Sequence, residues 1–272
     1  MSRATLAWLA APAAALLALF FALPLAAVVA DALREGLAAF ARVLAMPGFW
    51  PSLAGSSVLT LVASALSLGV GVAVALHLSR LPERQRTLLA FVIALPLTFS
   101  GLIVAYGFIL TYGRAGLVTQ LLALVGADAA VLGKALFTPV GLAFASSYYL
   151  IPRVVMGLLP VFVNFDRAQL DVAQSLGATP AQAFRQVMLP QLAAPIAGSL
   201  CLIAAVVFGA YGTALALVGT RLPILPLQLY SLISETGSDF PAAAALALLI
   251  TAACSAIMTA GAWFGSRHEK HL

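Results

Sequence analysis

The sequence predicts an all-α polytopic membrane protein with six transmembrane helices, and three observations carry that prediction. The 272 residues are 63% hydrophobic and only 8% charged, with a mean hydropathy of +1.08. A soluble domain carries about 25% charged residues, so this chain lacks the polar surface to cover a globule in water. Second, the uncharged stretches Ala4–Ala30, Val43–Ser79, Thr87–Gly113, Ala135–Pro152, Gln186–Thr220 and Phe240–Ser266 each approach or exceed the roughly 20 residues that cross a 30 Å hydrocarbon layer. Third, the net charge of +5 is unevenly shared between the two sets of loops. The same figures exclude a soluble enzyme, a disordered tail and a DNA-binding domain with a solvated basic face. Cys201 and Cys254 both lie in apolar runs, which excludes a disulfide scaffold or a thiol-rich metal site.

The helices are expected near 5–30, 52–78, 88–112, 135–158, 193–219 and 241–265. Such long continuous runs satisfy their backbone within one helix and are too long for barrel strands. The first begins after Arg3, as a signal peptide does. Its apolar part runs about 25 residues against the roughly 7–15 of a signal core, so it reads as a retained helix.

Orientation follows from the basic residues in the loops. One side collects Arg3, Arg80, Arg84, Arg86, Arg153, Arg167, Arg185, Arg267 and Lys270 against the acids Glu83, Asp166, Asp171 and Glu269, a net of +5. The other has Arg34, Arg42, Arg114, Lys134 and Arg221 balanced by Asp31, Glu35, Asp128, Glu235 and Asp239. Both termini and the loops at 79–87 and 159–192 are therefore expected in the cytoplasm. Arg153 is the awkward charge. Eighteen uncharged residues precede it, about 27 Å of helix, which places it at the inner boundary as a snorkelling anchor or as a partner in a loop salt bridge.

The connection from Leu159 to Leu192 is long for a membrane loop and full of helix punctuation. Asp166 answered by Gln169 has the capping-box pattern, opening a helix at Arg167 with Ala168, Val172, Ala173 and Leu176 on one face. Gly177 suits the left-handed residue that ends a helix. Thr179-Pro180-Ala181-Gln182 repeats the capping device and opens a second short helix with an apolar face of Ala183, Phe184, Val187 and Met188, which Leu189-Pro190 is expected to stop. Two short amphipathic helices at a sharp turn fit either a docking element for a soluble partner or an interfacial pair lying in the headgroups.

The segment Asp171-Val172-Ala173-Gln174-Ser175-Leu176-Gly177, nine residues, then Val187-Met188-Leu189-Pro190 resembles the EAA motif, E-A-A-x3-G-x9-I-x-L-P. That motif marks the permease subunits of binding-protein-dependent ABC importers. The spacing matches throughout. Asp171 replaces Glu, Val172 replaces Ala and Val187 replaces Ile. The six-helix layout is similar to that family over nearly the whole chain.

The resemblance implies a type I importer permease: a single transmembrane domain over 1–272, with a first helix and outer loop at 1–50, core helices two to six at 51–265, and a cytoplasmic coupling loop at 160–192. It implies that Asp171, Ala173, Gly177, Ala178, Phe184, Leu189 and Pro190 couple to a separate ABC ATPase dimer. The same resemblance implies a second permease, identical or paralogous, and an extracytoplasmic solute-binding protein. Asp171 would pair with a basic group of the ATPase, or with Arg185 or Arg153. The chain is expected in the bacterial inner membrane, without a nucleic-acid partner.

No nucleotide site is legible. The nearest lookalike, Gly133-Lys134, has Asp128 where the first glycine of a P-loop belongs and Ala135 after the lysine. No cofactor is expected on this chain, ATP-Mg being left to the partner. No catalytic triad converges, and the histidines, lone His77 and the tail's His268 and His271, suggest no metal centre. Apart from His77 and Arg153 the spans hold no ionisable group, which disfavours an ion-coupled carrier. A membrane enzyme or assembly factor would need a reactive cluster that the chain does not show.

The path must then be built from neutral groups, with Thr98, Ser100, Tyr106, Tyr148, Tyr149, Tyr211 and Thr213 as candidates. Adjacent Tyr148 and Tyr149 point about 100° apart, so at most one faces a given pore. For a single Ser or Thr, the competing role is a helix–helix hydrogen bond. Small residues Ala205, Gly209 and Thr213 would let the fifth helix approach a neighbour, such as the second permease. Phe208-Gly209-Ala210-Tyr211 and the apolar outer loop 218–230 are similar in tone to the polyamine, thiamine, iron(III) and aminophosphonate branch. The solute expected is small and charged, polyamine-like first.

Overall fold

A computed structural model of the chain describes residues 11–12, 15–126, 128–234 and 239–269, with side chains through 266. The expectations for residues 1–10, Glu235, Lys270 and His271, and for the side chains of Arg267, His268 and Glu269, lie outside the described residues. All described elements are helical, and six are long and apolar enough to cross a membrane.

In chain order, α1 (Leu23–Ala32) is entered through a π-turn at Ala18–Ala22 and is followed by α2 (Ala38–Ala45). The 30-residue α3 (Phe49–Leu78) and the 26-residue α8 (Pro139–Asn164) form the central pair. Between them lie α4 (Glu83–Ala94), α5 (Gly101–Tyr112), α6 (Leu117–Leu124) and α7 (Ala129–Ala135). Then follow α9 (Ala168–Ser175), α10 (Pro180–Ala183), α11 (Leu189–Phe208), α12 (Gly212–Val218), α13 (Leu225–Ser234) and α14 (Phe240–Glu269).

Lipid tails give two apolar helices no hydrophobic reason to associate, so close packing has to do it. The inward stripe of α3 is accordingly small: Ser52, Ser56, Thr60, Ala63, Ser64, Ser67, Gly71 and Ala75 are all buried. A Cβ added at Gly71 would stand 2.6 Å from the Val154 side chain of α8, so only glycine permits this approach. One core gathers around α3, α8, α11 and α12. A second joins α1, α2 and α13 to α14 through Ala32, Val43, Leu225, Leu232 and Leu246.

The structure revises three expected spans. The third does not run over 88–112: Pro96 lies in a 3-10 turn at Leu95–Thr98, and the chain restarts at Gly101, where the Ser100 hydroxyl accepts from the Ile103 N–H at 3.4 Å. Proline lacks the donor an α-helix needs there, and the third apolar span is Gly101–Leu124.

The fourth span extends further inward than expected. It opens at Thr138, whose hydroxyl accepts from Gly141 N–H at 3.2 Å, and continues to Asn164. Arg153 is thus eleven residues, about 16 Å, short of the helix end and close to its midpoint.

The fifth span begins earlier and ends sooner. Pro180–Phe208 is one apolar run of 29 residues, so Leu189-Pro190 does not stop the second short helix. A π-turn at Phe184–Met188 carries the chain past Pro190, with the Leu189 N–H bonding five residues back to the Phe184 carbonyl. The widened turn absorbs a proline that would clash with the carbonyl four residues earlier. The run breaks at Gly209–Tyr211, before α12.

The apolar outer loop expected at 218–230 is not loose. Gly212–Arg221 and Leu225–Ser234 are two helical pieces bent by 74°, and the Leu225 N–H donates to the buried Ser56 hydroxyl at 2.9 Å.

Candidate functional site

Two regions of the molecule bring together the residues that the sequence singled out. The first is the turn between α9 and α10. The Asp166 carboxylate accepts from the Ala168 N–H at 3.0 Å and opens α9, but Gln169 does not return the bond. It accepts instead from Gln191 Nε2 at 2.6 Å, tying α9 to the start of α11. Gly177 has φ +94°, the left-handed region that glycine enters without cost, and its N–H and that of Ala178 close the helix end on the Gln174 and Ala173 carbonyls. Thr179 and Gln182 form the full capping box, at 3.3 and 2.8 Å.

The pair is anchored from one side and bare on the other. Ala173 and Ala178 are half-buried, while Ala183 and Met188 are buried. Val172 is 58% exposed and Leu176 84% exposed, and Phe184 and Leu189 also face outward. The expected single apolar face of α9 is therefore divided: Ala173 turns in, Ala168, Val172 and Leu176 turn out. Asp171 is exposed and takes part in none of the ion pairs among the described residues, so the intramolecular pairing with Arg185 or Arg153 is not formed.

The second region is where the two helix breaks meet. Leu95–Thr98 and Gly209–Tyr211 converge on α8 around a cavity of about 240 Å³, lined by Pro96, Leu97, Phe99, Gly101, Tyr149, Arg153, Val206, Ala210, Tyr211, Gly212 and Thr213. The Thr213 hydroxyl donates to the Gly101 carbonyl at 3.2 Å and pins one break to the other. The ring centroids of Tyr211 and Tyr230 lie 5.5 Å apart, with the planes tilted by 43°. A separate cavity of about 370 Å³ lies on the other side of α5, lined by Phe99, Ile103, Val104, Gly107, Phe108, Thr111, Tyr112 and Tyr148. At the end of the bundle opposite the α9–α10 turn, a basin of about 750 Å³ is lined by Arg114, Lys134, Phe137, Arg221 and residues 215–219 and 222.

The sequence model of the binding-protein-dependent transport system inner membrane components matches residues 65–270. The chain belongs to this family. By family it is thus a permease of the binding-protein-dependent ABC type. Among similar sequences, the permease is 29% identical to the putative 2-aminoethylphosphonate transport system permease protein PhnU of Salmonella typhi, over 90% of this chain and 86% of that one. Sulfate permease 2 of the Chlamydomonas reinhardtii chloroplast is 28% identical, over 87% and 63%. The spermidine/putrescine transport system permease protein PotB of Salmonella typhimurium is 30% identical, over 56% and 52%. The matched region thus spans less than two thirds of the sulfate and spermidine/putrescine permeases.

The fold is shared with two solved structures of a bacterial alginate ABC transporter. One, in complex with an alginate pentasaccharide-bound periplasmic protein, superimposes with TM-score 0.74 at 18% identity over 94% of this chain and 92% of that chain. The other, described as importing the acidic polysaccharide alginate, gives 0.73 at 18%, over 97% and 96%.

Of the permease's candidate path residues, the central cavity gathers Tyr149, Tyr211 and Thr213. Thr98 and Ser100 sit in the adjoining break and spend their hydroxyls on local backbone, Thr98 donating to the Leu95 carbonyl at 2.7 Å. Tyr148 faces the second cavity, so the two adjacent tyrosines do serve different spaces. Tyr106 is 57% exposed and lines none of these cavities. Ala205 and Gly209 are used within the chain: Cys254 of α14 donates to the Ala205 carbonyl at 3.5 Å and lies 3.9 Å from a Cβ added at Gly209.

Arg153 lies within helix four, not at its end as the uncharged run stopping at Pro152 suggests. The signal that helix four continues is the buried apolar series beyond it, Val154, Val155, Leu158, Leu159 and Phe162.

Proposed function

We propose that the chain is the membrane-spanning subunit of an ATP-driven importer for a small charged solute, acting with a second permease, an ABC ATPase dimer and an extracytoplasmic binding protein. The observation that carries this is the α9–α10 turn. It is rigid, being capped at both helices and anchored by Ala183 and Met188, yet it presents Val172 and Leu176 bare. Such a ridge suits a groove of a soluble partner that pushes on it. The Pro180–Phe208 run then carries displacement from the turn directly to Gly209–Tyr211 at the cavity.

In this reading Asp171, Ala173, Gly177, Ala178, Phe184, Leu189 and Pro190 form the coupling element. Asp171, exposed and unpaired within the described residues, is available to a basic group of the ATPase. Nucleotide and Mg²⁺ stay on that partner, and this chain holds no cofactor. The α9–α10 end faces the cytoplasm with both termini, in the bacterial inner membrane, because the basic excess lies on that side.

The similarities include permeases named for spermidine/putrescine, 2-aminoethylphosphonate and sulfate, and they favour a small charged solute. An ion-coupled carrier is disfavoured because none of the described residues lining the cavity is Asp, Glu, His or Lys.

The test is reconstitution of the assembled importer in proteoliposomes with the Gly177→Val variant beside wild type. The variant should insert and assemble, while solute-dependent ATP hydrolysis and uptake fall at least tenfold. Unchanged coupling in Gly177→Val, or uptake that ignores ATP and collapses with a protonophore, refutes the reading.

A further inference from the structure

The central cavity contains a full positive charge and no negative one. Arg153 lines it from near the midpoint of the 26-residue α8, and none of its lining residues is Asp or Glu. Among the described residues Arg153 has neither a salt-bridge partner nor a side-chain hydrogen bond. A charged group within an apolar helix is costly, and in membrane proteins such a group faces a pathway or a partner. Eleven further residues of helix separate it from Asn164, and most of the apolar ones are buried.

A second observation repeats the sign. The large basin at the opposite end from the α9–α10 turn brings together Arg114, Lys134 and Arg221, again with no acidic residue among the described residues that line it. These three come from separate places in the chain, after α5, in α7 and after α12, so only the fold assembles them. The two spaces share one wall. Helix α12 gives Gly212 and Thr213 to the central cavity and Leu215–Val218 to the basin, so the two linings follow each other along one helix about 10 Å long. Charges of one sign along a low-dielectric cleft concentrate ions of the other sign in it.

We propose that this route selects a small solute bearing an oxyanion, a phosphonate, sulfate or carboxylate group, which is gathered at the Arg114–Lys134–Arg221 basin and then held by Arg153. The planar guanidinium matches two oxygens of such a group at once, which a polyamine's ammonium groups cannot use. About 240 Å³ is below the roughly 300–1,000 Å³ of clefts for drug-sized ligands, so the solute, or the part of it that enters, is small. Tyr149 and Tyr211 supply neutral hydroxyls around it, while the Thr213 hydroxyl is spent on the Gly101 carbonyl. This inference rests on the permease reading, and it sets an anion against the polyamine that the sequence alone suggested.

The test separates the two. In the assembled importer, Cys201 and Cys254 are replaced by Ala and Ala210, which lines the cavity, is replaced by Cys. Its modification by an anionic methanethiosulfonate (ethylsulfonate) is compared with that by a cationic one (ethyltrimethylammonium), each normalised to a free thiol. The anionic reagent should win at least tenfold. Arg153→Gln should remove most of that preference and Arg153→Lys keep it. If Arg153→Gln fails to insert, the Arg114→Gln/Arg221→Gln pair in the exposed basin should lower the preference instead. Equal rates, or a faster cationic reagent, overturn the proposal and leave the permease reading untouched.

Uptake of labelled sulfate, methylphosphonate and putrescine by the same importer gives the second arm. Accumulation of an oxyanion that drops at least tenfold in Arg153→Gln supports the proposal, and accumulation of putrescine alone overturns it. Uptake indifferent to loss of the ATPase would sink the importer reading, whatever the thiol reagents report.

Discussion

Thr213 donates its hydroxyl to the carbonyl of Gly101, 112 residues earlier in the chain, at 3.2 Å. The bond joins the restart of the broken third span to the restart after the broken fifth. A Cβ at Gly101 would stand 2.5 Å from that hydroxyl, so the contact exists only because position 101 is glycine.

Gly101→Ala is accordingly expected to push the two breaks apart. Overpacking of this kind typically costs about 1–3 kcal/mol. A thermal-shift measurement of the purified protein should show the loss, and Gly101→Ala combined with Thr213→Ala should recover part of it. Equal melting temperatures for wild type and the single variant would show that the contact yields freely.

At Gly177 the expectation has a different origin. Nothing lies within 4 Å of an added Cβ, so a substitution there meets a backbone penalty and no clash. For most residues the left-handed conformation costs about 1–2 kcal/mol, whereas Asn tolerates it better. Gly177→Asn should therefore retain most of the solute-stimulated ATPase activity that Gly177→Val loses. If the two variants behave alike, conformation at this turn is not what matters.

Helices α3 and α8 offer a test of packing without a hydrophobic drive. Gly71→Ala would bring a methyl within 2.6 Å of Val154, and the helices must separate to hold it. Expected is a loss of about 1–3 kcal/mol in a denaturation series, relieved only in part by Val154→Ala, because the Val154 Cβ stays 2.6 Å from the added methyl while its Cγ1 is removed. Additive effects of the two substitutions would count against a direct contact.

Arg42 ties α2 to the two ends that flank it, pairing with Glu35 and, at 3.3 Å, with Asp239 just before α14. Glu35 first, then Asp239, raise its guanidinium above its ordinary value despite some desolvation that lowers it. A raised basic group stabilises below its unfolded value and loses that contribution only as pH climbs through the folded one. The tie should therefore hold throughout the alkaline range in which the protein can be handled. Being exposed, it should be weak and screened by salt. Arg42→Ala is expected to lower the melting temperature slightly at low ionic strength and not at all in molar salt, with no alkaline step in either protein.

Much of this protein was legible before any coordinate. Apolar runs of membrane length fixed six spans, because an isolated helix is the one form that satisfies its own backbone in lipid. The caps at Thr179 and Gln182 and the left-handed Gly177 were readable from residue type, since both are local: their partners lie within four residues. The motif from Asp171 to Pro190 was a matter of spacing, and spacing survives in the sequence.

What the sequence did not reveal is non-local. Pro96 and Gly209 marked possible breaks, but an apolar run reads the same whether it is straight or broken. Leu189-Pro190 read as a stop because the π-turn that lets the helix continue has no simple residue signature. Arg153 looked like a boundary charge as long as only its own helix was considered. Tertiary structure decided otherwise, by carrying α8 on to Asn164 and folding the two breaks around the guanidinium. Charge count is a property of the sequence. Whether a charge meets lipid, a partner or an open cavity is decided by which distant segments the fold brings beside it.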